Sequence, residues 1–455
     1  MLENIRIGKF SFSAREALVF LFFFALPLGT KKFLFPLEGR GITSEADGVF
    51  LFLNDIWIPI LGIVLFALIR KKVLSWILEK KIVVISLSFF LLIALFSVFV
   101  SSHTGVSIYA FVRLLLGVLL GIFACTLVRH SDHCIAALGV FVSGIIQSIV
   151  GMVQFATGKS IGIRYLGEVV VNETTQYVAR TSVGDALFLR AYGTMQHANI
   201  LAAFLLIAFV SGTFLLVKNF ADGKKNYKKT TLLAGGLFII ACGLTLTFSR
   251  SGWIASAIAL AAFVGILISS SGKKVVALKV VTVLFFVAVA VYSIFGWAIL
   301  PRASFEKDEP SVELRVDYLY LGKEIVRENP IVGVGIGNEI LYAKEHGLYG
   351  AFGIMRQQDY QPVHNMPLLM LSEIGFAGSV PFGIFLAVLL SYALRNVRKD
   401  ISVAWVFSML VGFFAFSLVD HFFWTMQSGI AMFWVFVFLL LALSDKHGRV
   451  KHEPS

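Results

Sequence analysis

Residues 301–338 read PRASFEKDEPSVELRVDYLYLGKEIVRENPIVGVGIGN, and residues 357–370 read QQDYQPVHNMPLLM. Polar and charged side chains crowd this region, whereas apolar runs flank it on both sides. Val312, Leu319 and Val326 recur seven apart, with Tyr318 and Ile325 beside them and charges between, which predicts an amphipathic helix over 311–328. Asn329-Pro330 stops that helix, and Gly333, Gly335 and Gly337 then supply a tight, permissive backbone. A long loop with its own helix, bracketed by apolar runs, is expected to be a lid or a binding surface.

The flanking runs set the class. The chain is 58% hydrophobic and 15% charged over 455 residues, with mean hydropathy +0.85. A soluble chain of that length needs more polar surface, so an all-α polytopic membrane protein is expected. About twelve apolar runs approach the ~20 residues that one crossing requires. They centre on 16–35, 49–69, 82–100, 106–128, 134–156, 198–217, 231–248, 251–271, 275–299, 365–394, 401–420 and 429–444. The net charge of +12 does not point to nucleic acid, because the basic residues sit in short clusters between apolar runs. No cleavable signal peptide is expected, and Cys125, Cys134 and Cys242 suggest neither a disulfide framework nor a zinc site.

Orientation follows from Lys and Arg. With the N-terminus inside, 23 basic residues fall in short inner segments and 15 in longer outer ones, with Arg113 inside a span. Both termini are therefore expected to be cytoplasmic, and the large loop extracytoplasmic. The reading is one membrane domain over 1–455, with outer loops at 158–199 and 300–364.

Three patches then resemble the O-antigen ligase/polymerase family of bacterial membrane glycosyltransferases. They are Arg190-Ala-Tyr-Gly-Thr-Met-Gln-His-Ala-Asn199, Thr247-Phe-Ser-Arg-Ser-Gly252, and the large loop. Within the loop the likeness runs through Leu314-Arg315, Asn329 to Asn338, His364-Asn365 and Glu373-Ile-Gly375. The resemblance spans roughly residues 134–444. It implies transfer of a glycan from an undecaprenyl-diphosphate carrier, without metal or other cofactor, on the outer face of the cytoplasmic membrane. The acceptor would be a lipid core, as in lipopolysaccharide, another glycan, or a protein. The expected partners are therefore that donor, the acceptor and membrane lipids, with no nucleic acid.

The residue chemistry agrees with this expectation. Arginine is permanently charged and forked, so Arg250, Arg315 and Arg190 suit the diphosphate of a lipid-linked donor. Arg180, Arg302, Arg327 and Arg356 are read as solvated. His364 precedes a helix start that disfavours imidazolium, which makes it the candidate general base. Asn365, Asn199 and Asp420 are candidate supporting residues. Glu373 follows His364 by nine residues, ~13 Å along a helix and half a turn round it, so it should face a neighbouring helix. Arg113 is its candidate partner, and Glu373 and Asp55 are expected to be structural. Glu45-Ala-Asp47 and Glu306-Lys-Asp308 are acid pairs of a kind that can hold Mg²⁺ or Mn²⁺, but the reading assigns no metal.

A ligase and a polymerase would use the same donor chemistry, so the sequence leaves both open. A transporter or flippase should instead place ionisable groups near the midplane and carry broken spans in symmetric halves.

Overall fold

The computed structural model describes the chain apart from residues 1–4, 8–9, 38–47, 54, 56–79, 172–174, 176–177, 184–185, 224–225, 304–309 and 445–455. Among the described residues, nine helices are long and apolar enough to cross a membrane. These are α2 (Lys81–Val100), α3 (Thr104–Leu127), α4 (His133–Thr157), α5 (Ala198–Ala221), α6 (Tyr227–Leu246), α7 (Arg250–Ser269), α8 (Lys274–Ala303), α12 (Met366–Asn396) and α15 (Gln427–Ser444). Shorter helices are α1 (Ala14–Ala25), α9 (Pro310–Glu328), α10 (Glu339–Glu345), α11 (Leu348–Ala351), α13 (Ile401–Ser417) and α14 (Phe422–Thr425). The protein is an all-α polytopic membrane protein, with only two-stranded hairpins besides its helices among the described residues, the first pairing β1 (Ile5–Ile7) with β2 (Phe10–Phe12).

The centre of the bundle is α5, whose whole apolar window is buried. It packs against α4, α6, α7 and α13, while α3 lies along α15. Small residues permit these approaches. A methyl added at Gly144 would meet Ala208, and one at Gly121 would meet the Trp434 backbone. Close packing of this kind replaces the hydrophobic driving force that a bilayer lacks.

One expected span is corrected, and two others differ in extent or description. The run 16–35 is not one helix: α1 stops at Ala25, and Lys31–Pro36 forms strand β3, paired antiparallel with β4 (Gly48–Phe52). Pro27 and Gly29 break the run, and the segment after them is exposed throughout and pairs with β4 instead of continuing the helix. The beginning of the expected 49–69 span lies in β4, and most of the rest is outside the described residues. The run 401–420 yields a helix of 17 residues, ending at Ser417.

The loop helix α9 forms with its buried stripe turned from the one read in sequence. Tyr318, Leu321 and Ile325 are buried, whereas Leu319 and Val326 are half-buried. Gly322 explains the turn: a methyl there would touch Val363 and Leu368, so the helix presses its glycine face onto the segment carrying His364.

Beyond α9, the segment Asn329–Asn338 enters the bundle. Helix α12 is broken at Gly375, whose φ of 59° and ψ of −171° lie outside helical space. The loop makes good the hydrogen bonds lost there. Phe376 N donates to Pro330 O and Ala377 N to Ile331 O, both at 2.9 Å. Val334 N and Gly335 N donate to Ser372 O and Glu373 O, also at 2.9 Å. Gly333 and Gly375 fit closely as well as turning sharply, since a methyl on either would lie within 2.5 Å of the opposite backbone. Broken helices persist at membrane depth only when such partners satisfy the freed groups.

Candidate active site

At one end of the bundle, the segments 190–199, 247–250, 315–318, 362–365 and 418–425 meet. Arg190 anchors the first two. Its Nε donates to Thr247 O and its Nη2 to Asn199 Oδ1, both at 2.6 Å. Asn199 passes the contact on, its Nδ2 donating to Asp420 Oδ2 at 2.7 Å. The other Asp420 oxygen accepts from His421 N at 2.8 Å. The His421 ring then stands edge-on to His364, with centroids 4.8 Å apart. The sequence-expected Arg190, Asn199, Asp420 and His364 are thereby linked in one chain of contacts.

The turn before Arg250 is shaped for this. Among the described residues, Phe248 is the one non-glycine with positive φ, at 48°. Ser249 caps α7 by accepting from Gly252 N at 3.2 Å, so Arg250 is the first residue of the helix rather than part of the turn. Arg302, expected to be solvated, is half-buried, and its Nε donates to Phe248 O at 3.4 Å. Arg190 and Arg302 thus grip adjacent carbonyls, separated from Arg250 by Ser249 alone.

His364 is held on three sides. Its Nδ1 lies 3.0 Å from Pro362 O. A carbonyl can only accept, so Nδ1 carries the proton and the lone pair of the neutral ring sits on Nε2. Tyr318, one turn along α9 from Arg315, stacks on the ring at 5.3 Å and 12°. Asn365 caps α12 by accepting from Leu368 N at 2.9 Å, and its Nδ2 donates to Leu418 O at 2.9 Å. It therefore ties the start of α12 to the segment carrying Asp420.

The electrostatics favour neutral imidazoles. Burial, then His421, then Arg315 press the His364 pKa below its ordinary value, while Asp420 and the Pro362 carbonyl oppose them. Burial and Arg315 lower His421 likewise, against Asp420. His197 falls to about 4 through burial and Arg190. Burial alone would raise Asp420, but His421, His364, His197 and the Asn199 amide together hold it below the usual carboxylate range. Arg190 drops to about 10 through burial and its neighbours Arg302 and Arg315, and stays charged at neutral pH.

The charges inside the spans pair differently from expectation. Arg113 forms a bidentate pair with Asp55, at 2.7 and 2.6 Å, and its Nε donates to Gln427 at 2.9 Å. Glu373 accepts from Trp424 Nε1 at 2.7 Å. Arg113 is therefore committed to Asp55, whose carboxylate follows β4. Among the described residues, no three His, Cys, Asp or Glu side chains are grouped to hold a metal. Glu45, Asp47, Glu306 and Asp308 lie outside the described residues.

Tyr318, His421, His197 and Arg302 were not assigned to the site from sequence. Tyr318 reads as part of an apolar stripe, and the histidines are single residues whose convergence needs the fold. The spacing of Arg315 and Tyr318, three apart on a helix, was the one available signal.

No curated protein matches the chain. Residues 235–383 match the family model described as O-antigen ligase. That interval holds Arg250, Arg302, Arg315, His364 and Glu373, while Arg190, Asn199, Asp420 and His421 come to the same place from outside it. Helix content, apolar spans and this match agree: the chain is a multi-pass membrane protein in which residues 235–383 are similar to the O-antigen ligase family.

Proposed function

We propose that the protein moves a glycan from an undecaprenyl-diphosphate carrier to an acceptor hydroxyl at the outer face of the bacterial cytoplasmic membrane. The observation that carries this is the His364 ring. Its Nδ1 proton is committed to Pro362 O, which leaves Nε2 as a base beside Asp420 and the arginines. In the reaction, Nε2 takes the acceptor proton as the hydroxyl oxygen attacks the anomeric carbon. The carbon–oxygen bond to phosphate breaks, and the carrier leaves as its diphosphate. Asp420 steadies the imidazolium that forms, and Arg190, Arg250 and Arg315 meet the charge developing on the leaving group. A single direct displacement inverts the anomeric centre. The residues supply the base and the cationic charge themselves, so the step is written without a metal.

An apolar groove supports a lipid-borne donor. It has a volume of about 510 Å³ and starts at Met366 and Pro367, immediately after His364-Asn365. It continues past Phe376, Leu386 and Phe407 to Leu394, between α12 and α13. A carrier tail lying there would place its diphosphate at the polar end of the bundle.

The test is transfer from a polyprenyl-diphosphate glycan to a hydroxyl acceptor by the purified protein, with His364→Ala alongside. Donor-dependent product from wild type and almost none from His364→Ala supports the proposal. Wild-type transfer by His364→Ala overturns the assignment of the base. The acceptor that is used separates a ligase from a polymerase. Labelling of Val316→Cys, but not Asn226→Cys, by an impermeant thiol reagent in intact cells tests the face. The reverse pattern would put the site on the wrong side.

A further inference from the structure

We propose that Glu373 and Trp424 form a positioning strut that fixes how His421 faces His364, setting the rate of transfer and not donor binding. The inference rests on the reading of His364 as the base. Glu373 and Trp424 are 3% and 8% exposed, and the indole Nε1 donates to the carboxylate at 2.7 Å. A carboxylate within a span is costly and stays where it has work to do.

Both ends of the strut are pinned. On one side, Glu373 lies on the first segment of α12, the segment that His364 and Asn365 begin. Gly335 N donates to the Glu373 carbonyl at 2.9 Å, so the loop Asn329–Asn338 fixes its backbone just before the break at Gly375. On the other side, Trp424 N donates to His421 O at 2.9 Å, and His421 Nδ1 lies 2.6 Å from Thr425 Oγ1. The short helix α14 is thus held from both ends, by His421 at its start and by Glu373 through Trp424. Asn365 reaches Leu418 O on the same connecting segment, so two separate contacts join the start of α12 to the approach to His421. Asn365 acts at the mouth and Glu373 deeper, and together they set the angle between the two imidazoles.

Trp424→Phe keeps the bulk and removes the N–H, whereas Glu373→Gln keeps an accepting oxygen. Trp424→Phe and Glu373→Leu are expected to lower kcat by about 10- to 100-fold with donor KM within about twofold, because small displacements of reacting groups cost that much. Glu373→Gln should retain most of the activity. Purified yield and thermal melting are measured on each variant in detergent. Wild-type kcat in Trp424→Phe, with His364→Ala inactive, overturns the strut alone. Parallel loss of kcat, donor affinity and melting temperature also overturns it, since that is the mark of general structural damage. Wild-type transfer by His364→Ala removes the reading of the base, and the strut falls with it.

Discussion

Tyr318 lies against the His364 ring, its centroid 5.3 Å away and its plane within 12°, while its hydroxyl donates to Asp359 O at 2.5 Å. The side chain therefore has two separable parts, a face for the histidine and a polar tip for the loop. Tyr318→Phe should keep transfer near wild type and lose about 0.5–1.5 kcal/mol of stability. Tyr318→Leu should lose the stack and slow transfer as well. Thermal melts and single-turnover rates on the pair of variants check this. Equal activity in Phe and Leu variants would show that the stack is idle.

The pH dependence of transfer follows from His364. Its folded pKa is depressed, so the neutral form persists as pH falls past the ordinary value of ~6.5. Activity should hold from neutral pH through ~6.5 and fall only at lower pH, once the ring takes a proton. A rate profile over that range, with EDTA present and absent, is the measurement. A decline centred above ~6.5, or a loss on chelation, contradicts the mechanism.

Arginine substitutions should separate geometry from charge. Arg250→Lys keeps the charge and loses the fork, and should cost about 2–4 kcal/mol of transition-state stabilisation, roughly 30- to 1,000-fold in rate. Arg302→Ala should weaken donor binding, because its guanidinium grips the carbonyl beside the one Arg190 holds. Arg327→Ala is the control, since that side chain is exposed and bonds Glu324 on its own helix. Donor binding isotherms distinguish them, and a neutral Arg302→Ala would return that residue to the solvated set.

The Arg113–Asp55 pair should matter for the fold alone. Both side chains are buried, 8% and 5% exposed, so removing one leaves the other charged and unmatched. Arg113→Ala should cost about 3–5 kcal/mol, visible as lower yield and an earlier melt. Whatever protein survives should transfer at the wild-type rate. A rate defect without a stability defect would tie this pair to the chemistry.

Much of the architecture was legible because apolar runs in a bilayer have one dominant solution. The helices from Lys81 to Asn396 begin and end near where the runs do. The first run misleads because apolar residues stand on both sides of its break, and only Pro27, Gly29 and the pair Lys31-Lys32 mark the change from helix to hairpin. At the site, Arg190, Asn199, Asp420 and His364 could be named as polar residues at span mouths, but their order of contact could not. That order depends on α5 lying beside α13, an approach that Gly412 permits, since a methyl there would meet Leu206. For the same reason the sequence does not show that Arg113 pairs with Asp55 and not with Glu373. Depth in the bilayer can be estimated from sequence, whereas the neighbour at that depth cannot.

The break at Gly375 carries a consequence for how the protein is made. Four hydrogen bonds of α12 are supplied by residues that leave the ribosome well before it. The span cannot settle in its final form as an autonomous helix, however apolar it is. It must wait for the Asn329–Asn338 segment to fold back upon it, so biogenesis joins completion of the loop to the seating of the helix. Until that joining the span lacks these four hydrogen bonds, and the start of α12, with His364 and Asn365 before it, is not yet held in place.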